Sequence, residues 1–357
     1  MHELLRLGMT RRVPQRGAAR SALQRGFTLV ELMVSMALGL LLLTGLVTVF
    51  VNNQRTRSEM EKTNRQTENG RYAIQMIGNE LRHAGYYSEF DPSKLPLPAA
   101  MPDACAVDLD DLRDALPLGI QGEDQGSALF ACLADVRAGT DVLAVRRVNT
   151  CALGDPNCDP AQAGIPYFQA ALCGQATELA SPTVTDHYVL DNDAAKFVKR
   201  ERDCTTAARV RRYRVHIYYV ANNNKAGDGV PTLKRAELGP GGFQVVPLVE
   251  GIENLQVQYG LDQDGDSAPE VYTTDPTTFG GCAGTDCISN WRDVTAVKLA
   301  LLARNTEQSA DWTDDRAYRL GTLDDGSDNL VGPFGDKYRR HAYTTVVRLN
   351  NVAGRRE

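Results

Sequence analysis

Carboxylates are the residues of this 357-residue chain whose spacing most suggests chemistry. Asp262, Asp264 and Asp266 alternate through Leu261-Asp262-Gln263-Asp264-Gly265-Asp266-Ser267-Ala268-Pro269-Glu270, with Gly265 permitting a tight turn and Glu270 close behind. Such a pattern can bring several oxygens to one hard cation, and calcium is the ion it would take. An EF-hand loop needs glycine at its sixth position and a bidentate acid at its twelfth, where this sequence has Ser267 and Thr273. A solvated acidic turn is the competing reading. Glu31 is a second notable carboxylate, the lone charged residue between Phe27 and Val51. An acid near the end of a membrane helix costs a few kcal/mol to bury and is usually kept with a partner or a function. A carboxylate reaching the headgroup region is the alternative.

Catalytic signatures are missing. The chain has no G-x-x-x-x-G-K-[ST], G-x-S-x-G or H-E-x-x-H, so no enzyme activity and no small-molecule substrate are expected. The five histidines, at 2, 83, 187, 216 and 341, are scattered, and each reads as structural or exposed. One basic run, Lys196, Lys199, Arg200, Arg202, Arg209, Arg211, Arg212 and Arg214, could meet DNA or an acidic partner. Glu201 and Asp203 interrupt it, and Arg212 and Arg214 would share a strand face with His216, so a solvated face is expected and nucleic acid is not.

The elements carrying these residues are announced by composition. A chain with 43% hydrophobic and 24% charged residues can bury a substantial core. Its net charge of -6 is uneven, because residues 1–26 hold Arg6, Arg11, Arg12, Arg16, Arg20 and Arg25 against Glu3 alone. Everything after them is therefore more acidic than the total. From Phe27 the sequence FTLVELMVSMALGLLLLTGLVTVFV would span about 37 Å as a helix, enough for a hydrocarbon core of about 30 Å. The basic residues before it place the N-terminus in the cytoplasm and the body outside, although Arg55, Arg57 and Lys62 weaken the contrast. A secretory signal would be shorter and end in an A-x-A-like site, and this run passes directly into a polar helical pattern. A plain single-span anchor is the stronger competitor.

Residues 52–85 continue the helix, with Ile74, Ile77 and Leu81 on one face, Gly70 and Gly78 as tolerated interruptions and Gly85 as the stop. Pro92, Pro96, Pro98 and Pro102 mark irregular chain. Strand-like runs follow at Asp141–Val148, Val210–Val220, Leu255–Tyr259, Val294–Leu302 and Tyr343–Leu349. The expected fold is α+β: one long helix, membrane-spanning over 27–51 and amphipathic over 52–85, packed on an antiparallel sheet in a head formed by 86–357. All eight cysteines, at 105, 132, 151, 158, 173, 204, 282 and 287, lie in that head, an even number suited to disulfides in an oxidising compartment. Eight cysteines allow 105 pairings and sequence alone does not choose among them; the expectation adopted is pairing of neighbours, Cys105 with Cys132, Cys151 with Cys158, Cys173 with Cys204 and Cys282 with Cys287. No C-x-x-C spacing supports zinc.

The junction Arg25-Gly26-Phe27-Thr28-Leu29-Val30-Glu31 resembles the prepilin peptidase site of type IV pilins and type II secretion pseudopilins. That resemblance implies removal of a leader ending at Gly26, methylation of Phe27, and pairing of Glu31 with the N-terminal amine of a neighbouring subunit. The leader is longer than usual for the family, and Met9 is an alternative start. Glu68-Asn69-Gly70-Arg71-Tyr72-Ala73-Ile74, Glu80-Leu81-Arg82-His83-Ala84-Gly85-Tyr86, Thr140–Leu143, Glu250–Leu255 and Thr344–Asn350 are similar to the minor pilin PilW family, as is the D-x-D-G-D turn. The resemblance implies a minor pilin of type IV pilus assembly, in an initiating or tip complex and so tied to motility and adhesion. Its partners would be the prepilin peptidase, other minor and major pilins and inner-membrane lipid; it would sit in the inner membrane with a periplasmic head and then in the pilus. Two alternatives stay open: a J-type minor pseudopilin of type II secretion, and a membrane-anchored, calcium-dependent binding or adhesion module.

Overall fold

A computed structural model describes residues 26–126 and 128–355. The expected leader, apart from Gly26, and the alternative start Met9 lie outside the described residues. The chain forms two compact units, one ending at Arg57 and one beginning at Ser58.

Helix α1 (Leu29–Arg82) is 54 residues long. Every residue from Gly26 to Ser58 is exposed, and the apolar opening has a mean hydropathy of 2.4, long and apolar enough to cross a membrane. From Gln66 onward the helix buries Gly70, Ala73, Ile74, Ile77, Gly78, Glu80 and Leu81, a three-and-four spacing that keeps one face inward. It stops where Gly85 takes φ +69°, a conformation that costs glycine nothing.

The second unit is built on two antiparallel sheets, where one was expected. The larger runs β1 (Ile120–Glu123), β2 (Val142–Val148), β5 (Val210–Ala221), β3 (Tyr167–Ala170), β4 (Tyr188–Asp191), with β6 (Thr232–Gly239) on the other side of β5 and β7 (Gly242–Glu250) beyond it. The twelve-residue β5 makes this possible, pairing β3 through its first residues and β2 and β6 through its later ones. The smaller sheet is ordered β13 (Arg340–Arg348), β10 (Val294–Arg304), β8 (Ile252–Leu261), β9 (Val271–Thr273). A ribbon of β11 (Tyr318–Thr322) and β12 (Asp328–Val331) lies over its outer face.

All five expected strand runs are strands. The short strands β3 and β4 were not expected, because four-residue pieces inside a disulfide-laced stretch carry too little alternation to read. The main core joins Ile74, Ile77 and Leu81 of α1 to Leu143 and Tyr218 of the larger sheet and to Leu255, Val257, Val297, Leu299 and Val347 of the smaller one. A second core, around Tyr87, Phe90, Phe130, Phe168 and Tyr213, fills the far face of the larger sheet. Each fully buried aliphatic or aromatic side chain contributes about 1.5–3 kcal/mol, so burial of this one face is what fixes the inner part of α1.

Candidate functional site

At its start α1 is closed by a reciprocal cap. Thr28 Oγ1 accepts from the Glu31 backbone N–H at 3.2 Å, while Glu31 Oε2 accepts from the Thr28 N–H at 3.3 Å and the Thr28 hydroxyl at 3.1 Å. Two donors that a helix leaves unpaired are thus satisfied by its own side chains. The signature T-x-x-E before an apolar run was readable in Thr28-Leu29-Val30-Glu31, and sequence reasoning missed it by treating these residues only as the start of a span. Gly26 and Phe27 are exposed immediately ahead, and a Cβ on Gly26 would meet nothing within 4 Å. Glu31 therefore serves this helix end in the single chain, and its exposed carboxylate lies four residues from Phe27.

In the head, one oxygen from each of Asp262, Asp264, Asp266 and Glu270 lies within 4.8 Å of the others; Asp262 is buried and the rest exposed. Backbone donors shape the turn. Asp262 accepts from Gly265 N at 2.7 Å and Ser267 N at 3.1 Å, Asp266 from Ala268 N at 2.8 Å, and Glu270 from Gln263 N at 2.6 Å. The cluster could hold a metal, and its all-oxygen set is that of a hard cation.

The four disulfides join Cys105–Cys132, Cys151–Cys158, Cys173–Cys204 and Cys282–Cys287. Cys282–Cys287 ties the loop before α2 (Thr285–Arg292) to that helix, which presents Trp291 to Tyr259 with ring centroids 4.6 Å apart.

The strand part of the basic run, Arg211, Arg212 and Arg214, is not a solvated face, whereas Lys196, Arg202 and Arg209 before it are exposed. His216 is buried against α1, with Nδ1 2.8 Å from Glu80 Oε1, and Arg147 of β2 donates to the same carboxylate at 2.7 and 3.2 Å. Arg147 stands directly across from Arg214 in the β2–β5 ladder, a like-charge pair that needs compensation. Asp159 supplies it, at 2.8 Å from Arg214 and 3.7 Å from Arg212. Packing by α1 and β2 explains the difference from expectation, since no local pattern signals a helix arriving from 136 residues away. Burial pushes the Glu80 carboxyl up, but the hydrogen bonds from His216 and Arg147 outweigh it and hold it far below the usual carboxylate range. Burial pushes His216 below its ordinary value despite Glu80, so the ring is neutral at pH 7 and Nδ1 carries the donated proton.

A further acid lies at the junction of the sheets. Asp141, 2% exposed, accepts from Gln125 N at 2.9 Å and Val257 N at 2.7 Å. Burial, with the neighbouring Asp124, raises its carboxyl well above the ordinary value.

Two family models match this chain. Residues 22–47 match the prokaryotic N-terminal methylation motif, and residues 217–351 match the type IV pilus-assembly protein W, PilW. No curated protein and no solved structure matches significantly. The motif and the apolar opening of α1 describe a membrane-anchored, type IV pilus-related pilin. Over residues 217–351 the head is similar to the PilW family as well.

Proposed function

We propose that the chain is a minor pilin acting in type IV pilus assembly through its N-terminal helix. A prepilin peptidase removes the leader after Gly26 and methylates Phe27; residues 27–51 then hold the protein in the inner membrane with the head in the periplasm. In this reading the Glu31 carboxylate leaves its own cap and pairs with the Phe27 amine of a neighbouring subunit, exchanging one charge-assisted hydrogen bond for another. The observation that carries it is the coincidence of the methylation motif, residues 22–47, with the apolar start of a 54-residue helix. Gly26→Ala tests it. Retained leader and lost piliation support the assembly role, while unchanged size and piliation sink it. Secretion of exoproteins in place of piliation would mark a J-type pseudopilin, and a ligand-binding defect alone would mark a tethered adhesion module.

A second reading concerns the head. Four carboxylate oxygens within 4.8 Å favour calcium at Asp262, Asp264, Asp266 and Glu270. Calorimetric titration of the full chain in detergent with calcium would show saturable heat that Asp264→Ala removes; no heat in the unaltered chain rejects the site.

A further inference from the structure

The edges of the two main sheets differ in how they are finished. Strands β1 and β4 have four residues and β9 three, and β7 carries Pro247 and faces a register shift between Leu233 and Lys234. Short length, proline and bulges are the devices that keep a sheet edge from recruiting another chain. Strand β13 has none of them. It pairs with β10 through nine consecutive residues without a shift, and β10 is its sole strand partner among the described residues.

The direction of its backbone groups follows from the ladder. Leu349 N donates to Thr295 O at 2.8 Å, and alternation then turns Val347, Thr345 and Tyr343 towards β10. The N–H and C=O groups of Ala342, Thr344 and Val346 point away from it, and among the described residues they have no hydrogen-bond partner. Thr344 is exposed, and Val346 is 59% exposed.

The side chains of Thr344 and Val346 line a cleft of about 340 Å³ on the outer face of the same sheet, with Lys298, Ala300, Gln258 and Leu320. Gln258 is engaged, donating to Thr322 O at 2.7 Å. Lys298 is half-buried, its ammonium 3.5 Å from the centroid of the Tyr272 ring. The Tyr272 ring is thus its neighbour in the single chain, and a carboxylate would be a stronger one.

We propose that the free edge of β13 receives an extended, acidic segment of another pilin-class subunit, which adds a strand to the smaller sheet and sends a carboxylate side chain into the cleft towards Lys298. Main-chain bonds at Thr344 and Val346 supply the attachment, and the cleft supplies the choice of side chain. The ammonium of Lys298 lies over Tyr272 of β9, on the side of β10 away from β13, so in this proposal the lysine swings from the ring to meet a carboxylate on an added strand about 10 Å from β10. The proposal goes beyond the assembly role, which rests on the N-terminal helix.

The test places the photoreactive residue benzoylphenylalanine at Val346 of the full chain in membranes of cells co-expressing its pilin-class subunits, with Leu129, 53% exposed, as the control position. The expected adduct forms from Val346 and not from Leu129, and its crosslinked peptide is an extended segment bearing Asp or Glu from a different subunit. Thr344→Pro, which removes an outward N–H and leaves the β10 ladder intact, and Lys298→Glu should each cut the yield at least tenfold. If Thr344→Pro lowers the melting temperature sharply, Lys298→Glu decides. No adduct above control, an adduct to a second copy of this chain or to a helix, or a yield unchanged by Lys298→Glu overturns the proposal. Scoring the adduct in a Gly26→Ala chain as well separates its failure from a failure of leader processing.

Discussion

Glu80 of α1 and His216 of β5 meet at 2.8 Å inside the head, with His216 Nδ1 donating to a carboxylate that Arg147 also grips. Among the described residues His216 Nε2 is buried without a partner, as suits the bare nitrogen of a neutral ring. One polar node therefore ties the inner part of α1 to two strands of the larger sheet.

Stability should fall on the acid side because of this node. His216 has a folded value below its ordinary 6.5, so the unfolded chain takes up its proton first and stability declines as pH drops below that value. Glu80, held below its ordinary 4.5, adds a second decline below that pH. Glu80→Gln leaves Arg147 without its counter-charge and should cost about 3 kcal/mol at pH 7, the range for breaking a buried pair. The cost should shrink towards pH 3, as read by denaturant melts at several pH values.

Asp124 and Asp141 act in the opposite sense. Burial raises both, so the native state holds protons that the unfolded chain has released, and stability declines as pH rises above their ordinary 3.8. Asp124→Asn removes one like charge beside Asp141 and should raise the melting temperature at pH 8, with little change at pH 3. Equal effects at both pH values would contradict the coupling.

Gly70 should resist a substitution that usually helps helices. Alanine in place of a mid-helix glycine gains about 1 kcal/mol from propensity. Here a Cβ would lie 2.1 Å from the Tyr343 ring, so Gly70→Ala should destabilise the head, and Tyr343→Ala in the same chain should recover much of the loss. A simple gain in stability from Gly70→Ala would show that Tyr343 moves aside freely.

The disulfides should differ in weight by the loops they close. Cys105–Cys132 and Cys173–Cys204 span 27 and 31 residues, against 5 for Cys282–Cys287. Chain entropy then assigns about 3.5 kcal/mol to each long loop and about 2 kcal/mol to the short one. Paired Cys→Ser variants compared by denaturant melts would check the order.

What the sequence made legible was local. The spacing of Ile74, Ile77 and Leu81, the stop at Gly85 and the runs that became β2, β5, β8, β10 and β13 all follow from periodicity within a few residues. The acidic turn is likewise contiguous, and its four carboxylates do come together. What was hidden depends on distant partners: Gly70 looked like a tolerated break until Tyr343 arrived over it, and His216 looked solvated until Glu80 covered it. The second sheet escaped because its pairing, β10 with β8 and β13, joins segments separated by loops that leave no trace in alternation. The Thr28–Glu31 cap was local and readable, and its residues were absorbed into the reading of the span.

The assembly role stands or falls with processing at the N-terminus. Intact mass and N-terminal sequencing of the full chain, purified from membranes of cells containing a prepilin peptidase, test it most directly. The mature chain should begin at Phe27 and carry one added methyl group on its amine, and a Gly26→Ala chain should keep the leader. A wild-type chain that retains residues before Phe27, or one cut beyond Val51 and released from the membrane, would contradict it.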